Sequence, residues 1–259
     1  MNFEYIDIQK EGSSAILFLN RSPVNDFNLQ FMNEIIQAHE LLAQDEEIWG
    51  VVLASANEKF FSNGLEPQYL LEADLQGRLA AFAKLFEVVK TVYAFPKPQV
   101  AAIHGFAMAG GAVLGMLPEF RIFAAGKTRF SFSEVAVGLT IPPNLLPLMS
   151  EAISGAEFYH ATLLSKVFSP EEALHCGLAA EVVDKDRLLE ASLNWLKRIY
   201  RLPLASYRSV KKNIRKDTLA NFVDNSQNFP EFEKFLSGNF EEGLRAVLEK
   251  RRPKYVNPG

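Results

Sequence analysis

Apolar residues recur along the chain with two spacings. Strand-length runs, alternating or continuous, occupy residues 3–9, 14–20, 50–54, 99–103, 120–124 and 180–183, while a three-to-four-residue spacing starts at Leu29 and dominates the C-terminal part. Residues 3–9 and 14–20 flank Glu11-Gly12-Ser13 and predict a hairpin. The spacing from Leu29 to Leu42 predicts a helix with one buried face, and residues 50–54, apolar throughout, predict a strand covered on both sides. A loop rich in Asn, Ser and Gly follows to Pro67, then helical spacing over 69–94 with a break expected near Gly77. Phe95-Pro96-Lys97-Pro98 stops that helix, because proline lacks an N–H and keeps its predecessor out of the helical region.

Residues 99–103 then read as a central strand that runs into a glycine turn and an apolar helix over 110–117, with a further strand at 120–124. From Asn144 onward the pattern is mostly helical. Ser169-Pro170-Glu171-Glu172 combines a capping Ser, a first-position Pro and a third-position Glu, and Gly177 supplies the stop. Further helices are expected over 186–200, 205–216, 218–236 and 240–250. Together these predict an α/β core over the first two thirds and a helical annex over the rest, with no internal sequence repeat.

Composition narrows the classes. A chain of 259 residues that is 48% hydrophobic can bury a sizeable core, which excludes disorder and collagen-like repetition. The balance of 27 Lys+Arg against 31 Asp+Glu leaves −4, which argues against nucleic acid or an acidic membrane as partner. Cys176 stands alone, so no internal disulfide and no zinc quartet is expected and the natural setting is reducing. The start, Met1-Asn2-Phe3-Glu4-Tyr5, has neither the basic nor the apolar character of a targeting segment, and residues 99–117 hold His104 and four glycines, a poor membrane span. A cytoplasmic protein is expected.

Two glycine-bearing turns offer chemistry. Phe61-Ser62-Asn63-Gly64-Leu65 follows one strand, and His104-Gly105-Phe106-Ala107-Met108-Ala109-Gly110-Gly111 follows another. A strand ending in Gly-Gly at the mouth of an apolar helix exposes amide donors where an anionic oxygen would be stabilised, yet glycines there equally permit close backbone packing. Neither G-x-G-x-x-G nor a P-loop is present, so a nucleotide phosphate cradle is unsupported. Glu134, among Phe132, Val135, Val137 and Leu139, is either a loop carboxylate or a desolvated base whose raised pKa suits proton transfer. His39, His104, His160 and His175 show no metal-ligand spacing and read as structural. The basic residues Arg208, Lys211, Lys212, Arg215 and Lys216 read as a solvated helix face, as do Arg245, Arg251, Arg252 and Lys254.

Three segments resemble the enoyl-CoA hydratase/isomerase (crotonase) superfamily, and the likeness extends over nearly the whole chain. Phe61-Ser62-Asn63-Gly64-Leu65-Glu66 resembles its F-S-A-G-x-D turn, and residues 97–111 resemble its K-P-x-I-A-A-V-N-G-x-A-x-G-G-G signature. Glu241-Glu242-Gly243 through Glu249-Lys250-Arg251-Arg252-Pro253 resembles its E-G…E-K-R-x-P end. The resemblance implies a spiral of ββα units over residues 1–195 and a helical oligomerisation region over 196–259, assembled as a homotrimer or homohexamer. It implies an acyl-CoA whose thioester oxygen lies between the backbone N–H groups of Leu65 and Gly110. It further implies substrate contacts from Val24, Ser62, Asn63, Gly64, Glu66 and Lys250, and no cofactor or metal, coenzyme A being part of the substrate.

Hydratases of the superfamily use two glutamates. The second matches Glu134; the first position holds Val113. Water addition needs both carboxylates, whereas a 3,4-to-2,3 double-bond shift needs one base to take a C2 proton and return it at C4. The chain is similar in particular to the monofunctional Δ3,Δ2-enoyl-CoA isomerases, through Pro23-Val24-Asn25-Asp26-Phe27, Ala109-Gly110-Gly111 and Pro142, although Glu66-Pro67 and Ala112 depart from them. The resemblance therefore implies a single-glutamate isomerase. The alternatives are a decarboxylase, a thioester hydrolase, a weak hydratase and a non-catalytic acyl-CoA-binding member.

Overall fold

The computed structural model describes residues 3–222 and 232–256. In chain order, β1 (Ile6–Glu11) and β2 (Ser14–Leu19) form the expected antiparallel hairpin, followed by β3 (Asp26–Phe27) and α1 (Leu29–Gln44). Next come β4 (Gly50–Ser55), β5 (Phe60–Ser62), β6 (Gly64–Leu65), α2 (Pro67–Glu72) and α3 (Leu75–Tyr93), then β7 (Gln99–Ile103), β8 (Phe106–Met108) and α4 (Gly110–Met116). β9 (Phe120–Ala124), β10 (Arg129–Ser131), a 3₁₀ turn (Val135–Val137), α5 (Leu145–Ala152), α6 (Ala156–Leu163) and α7 (Pro170–His175) lead to β11 (Glu181–Val183). The chain continues through α8 (Leu188–Ile199), α9 (Leu204–Ala220) and α10 (Asn239–Leu248).

Among the described residues, six strands form one sheet in the order β1-β2-β4-β7-β9-β11, parallel from β2 onward. Strand order follows chain order, because each return passes through a short strand in a second layer. That layer holds the parallel sheet β10-β8-β5 and the pair β3-β6. The repeated path of long strand, short strand and helix is a spiral of ββα units, as expected.

Side-chain alternation sorts the large sheet into two cores. Leu17, Val51, Leu53, Ala101, Ile103 and Phe123 point to the side of α1, α3 and α4, whereas Ile16, Val52, Val100, Ala102 and Ile122 meet Leu188, Leu196 and Ile199 of α8. β4 and β7 are buried at every position, as their unbroken apolar runs require.

Side-chain caps start α1, α3 and α7. Asn28 Oδ1 accepts from Phe31 N–H at 2.8 Å to start α1, and Ser169 and Glu172 form the capping box of α7. The break expected near Gly77 falls instead at Ala73 and Asp74. Asp74 Oδ1 accepts from Gly77 N–H at 2.8 Å, so Gly77 lies in the first turn of α3. The boundary expected after Lys216 is absent, since α9 continues to Ala220. Of the helix expected over 218–236, residues 223–231 lie outside the described residues, and Phe232–Phe235 forms a 3₁₀ turn.

Candidate active site

The small sheet gathers the expected chemistry. β5, β8 and β10 are parallel neighbours, with Ser62 opposite Ala107 and Ser131 opposite Met108. Leu65, Gly110 and Glu134 each lie two or three residues beyond those positions, so three segments leave the same end of one parallel sheet together. Ala109 N–H donates to Ser131 O at 2.9 Å and links the second and third loops.

The first and second loops touch at glycines. Gly64 has φ +79°, and a Cβ placed on it would sit 2.7 Å from Gly110 N. A Cβ on Gly111 would sit 2.1 Å from Ser62 O. Of the two readings of the glycines, the close packing is seen directly, since Gly111 permits the approach, and Gly110 is the first residue of α4, where N–H groups lack intrahelical acceptors. Across the contact, Glu66 N–H donates to Phe27 O at 3.1 Å. Successive strand N–H groups point to opposite sides, so the Leu65 N–H points away from β3.

Leu65, Gly110 and Glu134 line one cavity of about 260 Å³. Asn63, Val113 and Pro142 line it as well, and its apolar walls come from Phe82, Leu85 and Phe86 of α3, Leu145 of α5, and Phe240, Leu244 and Val247 of α10. Glu134 is 7% exposed, and its Oε2 has no hydrogen-bond partner among the described residues. Burial pushes its pKa up to about 7, against a smaller lowering by its own backbone N–H. It is the one ionisable side chain among the cavity-lining residues described.

The other expected contacts divide. Ser62 is fully buried and its hydroxyl donates to Asn25 O at 2.6 Å, so it holds the first loop. Val24 is half-buried in the β2–β3 connection and Glu66 pairs with Arg21 Nη2 at 2.8 Å; neither lines the cavity. Lys250 is exposed at the end of α10, three residues beyond Val247. Asn25, not among the expected contacts, is the hub of this region: its Nδ2 donates to Ser55 Oγ at 2.8 Å and Phe61 O at 3.0 Å. The α3 and α10 walls were likewise not foreseen, though the apolar spacing of both helices marks an inward face.

A larger groove of about 730 Å³ lies where α9 meets the ends of α3 and α4, and it shares no lining residue with that cavity. Its charged groups are already engaged. Lys211 Nζ and Arg215 Nη2 lie 2.5 and 2.7 Å from Glu119 Oε1, and they also donate to Lys97 O and Leu117 O at 2.6 and 2.9 Å. This corrects the reading of Lys211 and Arg215 as part of a solvated face, because the connections that lead into β7 and β9 offer acceptors that sequence spacing does not reveal. Lys212 and Lys216 are exposed as expected. His39 and His104 are buried, with ring nitrogens 2.7 Å from Ile35 O and 2.6 Å from Asn57 O, and neither lines the cavity.

Residues 9–258 match the enoyl-CoA hydratase/isomerase family. The chain belongs to that family. Among its relatives, the trans-2-decenoyl-[acyl-carrier-protein] isomerase of Streptococcus mutans is 29% identical over 99% of both chains. The mitochondrial enoyl-CoA delta isomerase 1 of Rattus norvegicus is 28% identical over 95% of this chain and 87% of its own. The human mitochondrial delta3-delta2-enoyl-CoA isomerase structure superposes with a TM-score of 0.89 at 23% identity, covering 95% of this chain and 98% of that one, which establishes the crotonase fold.

Proposed function

We propose that the protein is a Δ3,Δ2-enoyl-CoA isomerase that works with one glutamate. The observation that carries this reading is that Glu134 faces the cavity without another ionisable side chain, while the position of the hydratases' other glutamate is Val113, 1% exposed and on the wall. The substrate thioester oxygen accepts from the Leu65 and Gly110 N–H groups. Glu134 removes a C2 proton, the electron pair moves into a dienolate whose oxygen charge those donors stabilise, and the same carboxyl returns the proton to C4. The C3=C4 bond becomes C2=C3, and no water or cofactor is consumed. A carboxyl with a pKa near 7 suits both halves, since a stronger acid would take the proton poorly and a weaker one would return it poorly.

The two relatives named above carry isomerase names with different carriers, which supports the reaction class and leaves the carrier to experiment. The test offers 3-enoyl, 2-enoyl, saturated and 2-carboxyacyl thioesters, each on coenzyme A and on acyl carrier protein, and identifies the products. Conversion of 3-enoyl to 2-enoyl thioester as the fastest reaction is the expected result. Faster hydration, decarboxylation or thioester cleavage would replace the isomerase reading with the corresponding activity.

A further inference from the structure

Arg21 bridges the two strands that hold one of the proposed oxyanion donors, although it lines no part of the cavity. Its Nη1 donates to Asp26 O at 2.8 Å and to the Asp26 carboxylate, and its Nη2 donates to Glu66 Oε2 at 2.8 Å. Asp26 opens β3 and Glu66 directly follows β6, so one guanidinium ties the two strands together. Each has only two residues, paired Asp26 with Gly64 and Phe27 with Leu65. A ladder that short has little stability of its own.

Two further observations show that the clamp is built rather than incidental. Glu66 sits at the N-cap of α2 but makes no hydrogen bond to that helix through its side chain, and its carboxylate is turned to Arg21. Arg21 is also anchored at its backbone. Its N–H donates to Asn25 Oδ1 at 2.7 Å and its carbonyl accepts from Asn25 N–H at 2.8 Å, while Asn25, fully buried, reaches Ser55 and Phe61. The Tyr5 ring lies 5.6 Å from the guanidinium carbon on another side.

We infer that Arg21 is a positioning residue, which fixes the direction of the Leu65 N–H by clamping Asp26 to Glu66. A hydrogen bond weakens steeply as it departs from linearity, and a displacement of about 1 Å in a catalytic group can cost roughly 100-fold in rate. The inference rests on the reading that the Leu65 N–H polarises a thioester carbonyl, which double-bond migration, hydration and decarboxylation would all share.

The test compares the parent, Arg21→Met, Arg21→Lys and Glu66→Gln, using 3-enoyl-CoA for kinetics. The bound carbonyl is read by infrared difference spectra of 2-enoyl-CoA carrying ¹³C at C1. The parent should shift the carbonyl band to lower frequency. Arg21→Met should lose most of that shift and about 10- to 100-fold in kcat, with KM changed less than about threefold. Arg21→Lys, which spans one carboxylate but not two, and Glu66→Gln, which keeps an acceptor, should fall in between. A folded Arg21→Met protein with the parental band and kcat overturns the inference, as does a loss in KM alone, which would make Arg21 a substrate-binding group. If Arg21→Met fails to fold, an unchanged band in Glu66→Gln and Arg21→Lys overturns it. A parent that shifts the band without migrating the double bond fails the isomerase reading, yet a shift lost in Arg21→Met still supports the clamp.

Discussion

At the scale of the residue, Glu134 is costly to the fold in the ionised state that the proposed chemistry requires. Its pKa is raised from an unfolded value of 4.5 to about 7, so the native state binds a proton that the unfolded state has released between those values. Native stability therefore declines as pH rises from about 4.5 to about 7 on this account, and is then level. Glu134→Gln removes the charge and keeps the shape. It should be more stable than the parent by roughly 2–3 kcal/mol at pH 8, with the gap gone at pH 4. Urea unfolding at the two values checks this, and equal stability at pH 8 would contradict the buried carboxylate. Activity has the opposite sign, with kcat/KM rising through about pH 7 as Glu134 ionises. The sequence pointed to Glu134 through its apolar neighbours, but those neighbours bury it only in part. Val135 is 41% exposed, and much of the cavity wall comes from Phe82, Phe86, Phe240 and Leu244, far away in the chain.

At the scale of the element, the decisive feature is the contact of two loops through Gly64 and Gly110. Gly64→Ala must place a Cβ against Gly110 N at a backbone φ that L-residues avoid, so it should displace that donor and cost on the order of 100- to 1000-fold in kcat. Gly110→Ala keeps its N–H and meets its nearest neighbour at 3.3 Å. A loss of less than about tenfold is expected there, since no donor is deleted. Equal losses in folded proteins, measured by turnover of 3-enoyl-CoA, would contradict the assigned geometry. The loops were legible as glycine-bearing turns, and the signature around residues 97–111 marked the position of one proposed donor. The strands beneath them were not. β3, β5, β6, β8 and β10 have two or three residues each, too few for an alternating pattern to emerge, and their partners are remote in sequence.

At the scale of the whole molecule, the ββα path repeats in the backbone without repeating in the sequence, because each turn of the spiral buries different side chains against a different helix. The long strands were readable from their apolar runs. The closing of the cavity by α10 was not, since it depends on a tertiary anchor. Arg78 of α3 is 8% exposed; its Nε donates to Leu70 O at 2.7 Å, and its Nη1 reaches Leu236 O and, at 2.7 Å, Glu241 Oε1. Arg78→Met leaves two carbonyls without this donor and frees α10. It should cost about 2–4 kcal/mol in urea unfolding and raise KM more than it lowers kcat. Unchanged stability would show that α10 is held by its apolar face alone. The central claim is that one buried carboxylate performs both proton transfers. The most direct measurement is single-turnover conversion of 3-enoyl-CoA by folded Glu134→Gln, with thioester affinity measured in parallel. A loss of about 100- to 10,000-fold in rate at near-parental affinity is predicted. Conversion at close to the parental rate would remove Glu134 from the mechanism and contradict the account.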